Sequence, residues 1–216
     1  SNPLRVAKKK LASFKKANIL TFSSSTFQNC YTDSSYTIEF AQNNENSVST
    51  ITNCKFINCQ AFRDVVKNTN GIVNVESSTW SFDNSDSACG AIDCGNKGFS
   101  VQNSQFIKTR STGAIKIYQD KYEDPIVISN CIFDGCAGTN KRWAAIIFTT
   151  HQVTFSDNIF RNMVATNHEG YIISFEKYAY DETMTFVVEN VTFTDNTCNS
   201  WYGGGSGLWI AQVGPV

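Results

Sequence analysis

Cysteines and small clusters of acids are the residues of this 216-residue chain whose types and spacing could do chemistry. Cys54/Cys59, Cys89/Cys94 and Cys131/Cys136 repeat a five-residue spacing among the eight cysteines. Zinc-ligand pairs stand roughly two to four residues apart, often completed by histidine. With His151 and His168 as the two histidines, metal binding is not implied. Polysaccharide cleavage needs two carboxylates within several ångströms, or acids beside a proton-abstracting base. Asp83, Asp86 and Asp93 come nearest, but Asp83 and Asp93 are polar alternates between apolar positions, and His168-Glu169 has no evident partner. The chain therefore reads as non-enzymatic and cofactor-free, with a polysaccharide-active lyase or hydrolase as an alternative.

A different chemistry lies in two acidic tyrosine stretches, YQDKYEDP (118–125) and EKYAYDET (176–183). The first carries Tyr118, Tyr122, Asp120, Glu123 and Asp124, and the second Tyr178, Tyr180, Glu176, Asp181 and Glu182. Tyrosine offers rigid amphipathic contact area, and acids suit basic partners or sugar hydroxyls. Tyr118, Tyr122, Asp124, Tyr178, Tyr180 and Asp181 are thus the candidate ligand-binding residues. A solvated loop pair whose tyrosines pack on the exterior is the competing reading. Lys141, Arg142, Trp143, His168, Trp201 and Tyr202 form a weaker basic-aromatic cluster. Net charge is −1, which does not favour nucleic acid as a partner.

The elements that position these residues are set by a repeat. Phe27, Phe56, Phe82, Phe106, Phe133, Phe160 and Phe193 stand 29, 26, 24, 27, 27 and 33 residues apart, each within a similar phrase such as NCKFINC (53–59) or NCIFDGC (130–136). Phe22, Ile51, Val101, Ile128, Phe155 and Val188 precede them, followed in four repeats by Asn53, Asn103, Asn130 and Asn190. Strand side chains alternate faces, so inward residues at both Ile51 and Phe56 require a bend between them. Asparagine tolerates the left-handed backbone such a bend needs, and stacked copies can form a ladder. This column is read as inward-facing, which leaves Asn190 of the sequon Asn190-Val-Thr192 unmodified.

A third column opens on Gly71-Ile-Val, Gly90-Ala-Ile, Gly113-Ala-Ile, Ala144-Ala-Ile, Gly170-Tyr-Ile and Gly207-Leu-Trp, where Val73/Val75, Ile92/Cys94, Ile115/Ile117 and Ile146/Phe148 alternate. No such short run buries its apolar face alone, whereas stacked neighbours do. The predicted fold is all-β: a right-handed parallel β-helix of about seven coils over residues 19–216, rather than a β-sandwich. Both tyrosine stretches fall at one repeat position, so they project from one side. Residues 1–18 hold six basic residues and no acid, leaving −7 on the remainder. Asn2 as cap, Pro3 at the first helical position, and Leu4, Leu11 and Phe14 on one face predict a short helix there, capping the first coil or meeting an anionic surface. No apolar run is long enough to span a membrane, and the start is compatible with a mature or excised fragment.

In this register Cys30 and Cys59 are equivalent positions of adjacent coils, within disulfide reach. Cys54 and Cys131 lie three coils apart, and Cys94 joins the column of Val75, Ile117 and Phe148. Most thiols are expected to be unbridged and packed as small hydrophobes.

The Gly90-Ala91-Ile92 and Gly113-Ala114-Ile115 turns, with Phe193-Thr-Asp-Asn196 and the related phrases ending in Asn29, Asn58, Asn84 and Asn162, resemble the repeats of the chlamydial polymorphic outer-membrane proteins and similar protist surface proteins. Over residues 20–210 the resemblance implies a cell-surface or secreted β-helix module associated with adhesion to a protein or glycan. The alternative is a structural solenoid among neighbouring subunits of a larger assembly, and the localisation that alternative carries is intracellular.

Overall fold

The computed structural model describes residues 5–6, 12–32, 36–41, 44–82, 89–95, 97–110, 113–118, 124–138, 146–148, 152–166, 171–177, 185–199 and 206–212. They form a parallel β-solenoid with no α-helix among the described residues. Sheet one stacks Ile19–Ser23, Val48–Thr52, Ile72–Glu76, Gly98–Gln102, Ile126–Ser129, Gln152–Ser156 and Thr185–Glu189. Sheet two stacks Thr26–Gln28, Lys55–Ile57, Thr79–Ser81, Gln105–Ile107, Ile132–Asp134, Ile159–Arg161 and Thr192–Thr194. Sheet three has eight strands: Ala12–Lys15, Tyr36–Ala41, Asp64–Asn68, Gly90–Gly95, Ile115–Tyr118, Ile146–Phe148, Tyr171–Lys177 and Ser206–Gln212.

Parallel in-register pairing sets equivalent side chains directly above one another at the strand spacing of about 4.8 Å. That repeat lies within the roughly 4.5–7 Å centroid separation that aromatic pairs favour. Here the backbone imposes nearly parallel stacks from Phe27 through Phe56, Trp80, Phe106, Phe133 and Phe160 to Phe193, with centroids 4.6–5.2 Å apart. Trp80, not Phe82, fills the third place, pairing with Phe56 and Phe106. Phe82 lies one bend further on, where its amide donates to the Ile107 carbonyl as Asn58 donates to Ser81. The expected register was therefore off by two residues in that coil, because both aromatic residues fit the phrase.

The column Phe22, Ile51, Val75, Val101, Ile128, Phe155 and Val188 lines sheet one. Between it and the aromatic stack, Ser24, Asn53, Ser77, Asn103, Asn130, Asp157 and Asn190 all have φ between 49° and 55°. This left-handed residue resets the alternation, so the next residue points inward: Cys54, Ser78, Ser104, Cys131 and Asn158 are all buried. The asparagines of the bend themselves face solvent, which corrects the inward reading of that column; Asn190 is exposed. A second left-handed bend follows sheet two at Asn29, Asn58, Lys108, Gly135, Asn162 and Asp195.

Gly71-Ile-Val opens a strand of sheet one, not sheet three; its coil fills sheet three with Asp64–Asn68 instead. Cys94 accordingly pairs with Asn68 and Ile117 rather than Val75. The helix expected within residues 1–18 is also corrected: Arg5–Val6 pairs with Tyr31–Thr32, and Ala12–Lys15 adds a strand to sheet three. Phe14 thereby packs on Phe22, ring centroids 5.5 Å apart, instead of lining a helix face. Asn2, Pro3, Leu4 and Leu11 lie outside the described residues.

Candidate functional site

Sheet three carries the polar constellation. Its outward positions Ser13, Glu39, Lys67, Asp93 and Lys116 are directly paired across five neighbouring strands, so opposite charges alternate from rung to rung. Ser13 donates to Glu39 at 3.1 Å. Lys67 Nζ lies 2.9 Å from Asp93 Oδ1, and the Tyr36 hydroxyl reaches Asp93 Oδ2 at 3.5 Å. Burial alone would lower the Lys67 ammonium, but the adjacent Asp93 carboxylate outweighs it and holds the group above its ordinary value. With 3 % of its side chain exposed and a cation already against it, Asp93 is built as a fixed partner rather than a general base.

The ladder leads into the first tyrosine stretch. Lys116 Nζ sits 4.7 Å from the ring centre of Tyr118, two residues on in the same strand, and Lys67 Nζ lies 5.5 Å from Tyr36. Two half-buried tyrosines thus bracket a row of alternating charge. Gly95 is Tyr118's cross-strand partner, so no side chain from that rung covers the tyrosine.

Both predicted insertions occupy the connection from sheet three to sheet one, between Ile115–Tyr118 and Ile126–Ser129 and between Tyr171–Lys177 and Thr185–Glu189. Asp124 stands at this corner beside Lys97, 3.9 Å from its ammonium, and Lys97 also donates to Asn46 at 3.1 Å. Tyr118 and Asp124 are therefore placed at the two ends of one connection. Tyr122, Tyr178, Tyr180 and Asp181 lie outside the described residues, as do Asp83, Asp86 and the cluster of Lys141, Arg142, Trp143, His168, Trp201 and Tyr202.

Cys30, Cys54, Cys59, Cys131 and Cys136 belong to the corners. Ser78 and Ser104 donate to the carbonyl two residues back, at 2.9 and 2.7 Å, while each accepts the backbone amide of the coil before it at 3.1 Å. Cys54 and Cys131 take the same column and make the equivalent bonds to Thr52 and Ser129 at 3.4 and 3.2 Å. Burial raises the Cys131 thiol to about 12 and Cys136 to about 11, as expected of packed, unreactive sulfur. Among the described residues no three histidine, cysteine or acidic side chains gather as metal ligands, and no helix is long and apolar enough to cross a membrane.

The charge ladder was not singled out from sequence. Its signal was available: Glu39, Lys67, Asp93 and Lys116 each follow the first inward residue of their sheet-three strand. Compared with family models, curated proteins and solved structures, the chain matches none.

Proposed function

We propose that this chain is a non-enzymatic β-helix module of a cell-surface or secreted protein, holding a protein or glycan ligand along the corner where sheet three turns into sheet one. The continuity of Tyr118 with the Glu39–Lys67–Asp93–Lys116 row carries this reading, because a flat, rung-spaced row of both charges beside aromatic rings suits an extended polar ligand. The resemblance to surface-protein repeats supports the localisation. The prevailing right-handedness of parallel crossovers supports a right-handed path, and seven strands in each of two sheets support about seven coils.

The test is binding of the purified chain to cells and to a glycan array, beside the variant with Tyr118, Tyr122, Tyr178 and Tyr180 all replaced by Ser. Binding weakens by more than the roughly 1 kcal/mol that marks a meaningful interface contact, while circular dichroism stays unchanged. Equal binding by both proteins overturns the reading.

A further inference from the structure

Cys30 and Cys59 follow the left-handed residues Asn29 and Asn58 on neighbouring strands whose register pairs Gln28 with Ile57. The Gln60 amide donates to the Cys30 carbonyl at 2.7 Å, so backbone pairing continues past both cysteines. Their α-carbons are thus one strand spacing apart, about 4.8 Å, within the range a disulfide spans. In the same corner column, Cys136 is instead flanked by Thr109 and Met163, linked through Ala137 to Thr109 and Val164 to Cys136.

The two thiols differ. Cys59 is buried and donates to the Phe27 carbonyl at 3.3 Å, whereas Cys30 is half-buried and bonds Gln28 at 3.7 Å. A hydrogen bond between them favours the Cys30 thiolate, lowering it to about 7, and pushes Cys59 up; Cys89 near Cys59 adds in the same upward direction.

We propose that Cys30 and Cys59 are a thiol pair that closes into a reversible disulfide by exchange with an oxidised small-molecule disulfide of the glutathione class, stapling strand Thr26–Gln28 to strand Lys55–Ile57. The Cys30 thiolate attacks one sulfur of the reagent, whose S–S bond breaks to release one thiolate that takes up a proton. The mixed disulfide leaves no thiolate at Cys30 Sγ, which removes the hydrogen-bond acceptor and, after it, the charge that hold the proton on Cys59. Cys59 then loses its proton to solvent, attacks Cys30 Sγ and expels the second reagent thiolate. Two protein thiols are oxidised, and one reagent disulfide is reduced to two thiols.

The experiment is oxidised-glutathione titration of the whole native chain, followed by thiol counting after denaturation and non-reducing peptide mapping. The count falls from eight to six, mapping joins Cys30 to Cys59, and the melting midpoint rises by several degrees because a loop is closed. The Cys59→Ser variant stops with glutathione held on Cys30, and Cys30→Ser keeps all its remaining thiols. Eight thiols after oxidation, a glutathione adduct that persists on wild-type Cys30, or Cys30 joined to Cys198 overturns the proposal. The wild-type mapping stands by itself if either variant fails to fold.

Discussion

The side-chain amide of Asn130 donates to Asn103 Oδ1 at 2.6 Å, one coil away on the outside of the first bend. Asn190 repeats the contact on Asp157 at 3.1 Å, and Asn162 on Asp134 at 2.9 Å at the second bend. Asparagine therefore does two things at these corners: it accepts positive φ, and it ties neighbouring coils from the solvent side.

Asn190 is consequently open to modification. Expressed through a eukaryotic secretory pathway, the chain carries a glycan at Asn190, because the sequon asparagine is exposed on a bend and Thr192 beyond it is exposed too. Intact-mass measurement before and after deglycosylation checks this, and an unmodified Asn190 on a secreted chain counts against it.

The aromatic stack is expected to dominate stability. Phe106 is fully buried between Trp80 and Phe133, at 4.9 and 5.0 Å. Phe106→Ala costs about 3–5 kcal/mol in chemical denaturation. Phe106→Asp costs at least as much, since it adds an unpaired buried charge. A loss under about 1 kcal/mol for either would contradict the stack.

Lys108 holds φ 54° where the other left-handed positions of its column are Asn29, Asn58, Gly135, Asn162 and Asp195. A lysine gains nothing from left-handed backbone, so Lys108→Gly is predicted to stabilise by about 0.5–1 kcal/mol. Denaturation midpoints at unchanged slope provide the measurement.

Lys67 and Asp93 are predicted to be strongly coupled. Lys67→Met leaves a carboxylate with 3 % exposure and no cation at 2.9 Å, and costs about 3 kcal/mol. Adding Asp93→Leu recovers most of that loss, and a double-mutant cycle with no coupling would exclude the pair as a unit.

Alkylation should separate the thiols by pH. Iodoacetamide labels Cys30 in the native chain at half its maximal rate near pH 7, because its thiolate persists to about 7 where an ordinary cysteine needs 9.0. Below that pH the Cys30 thiol is protonated and labelling falls. Cys131 and Cys136, at about 12 and 11, stay unlabelled at neutral pH.

Much of this solenoid was legible because a column recurs every coil and its members share one chemistry. The columns through Phe56 and Ile51, the need for a bend between them, and the adjacency of Cys30 and Cys59 follow from spacing alone. Three features were not legible for physical reasons. Trp80 and Phe82 are both large aromatic residues two positions apart, and only pairing with Phe56 chooses between them. A left-handed residue inverts strand parity, so which of Asn53 and Cys54 turns inward depends on a backbone angle. Leu4, Leu11 and Phe14 have the spacing of one helix face, but Ala12–Lys15 gains strand hydrogen bonds from Tyr36–Ala41 instead. At the site, the shared corner of Tyr118 and Asp124 was read from the repeat, while the charge ladder emerged once four strands were aligned.

Because Asn103 and Asn130 occupy the same place in successive coils, the register makes length a modular quantity. Excising residues 103–129 would join Gln102 to Asn130 and bring Phe133 onto the ring of Trp80, its new neighbour, with the left-handed bends of the remaining coils retained. The chain can thus be shortened or lengthened by whole coils without inventing a new interface, so the distance between its two ends is a property that duplication can set in steps of one rung.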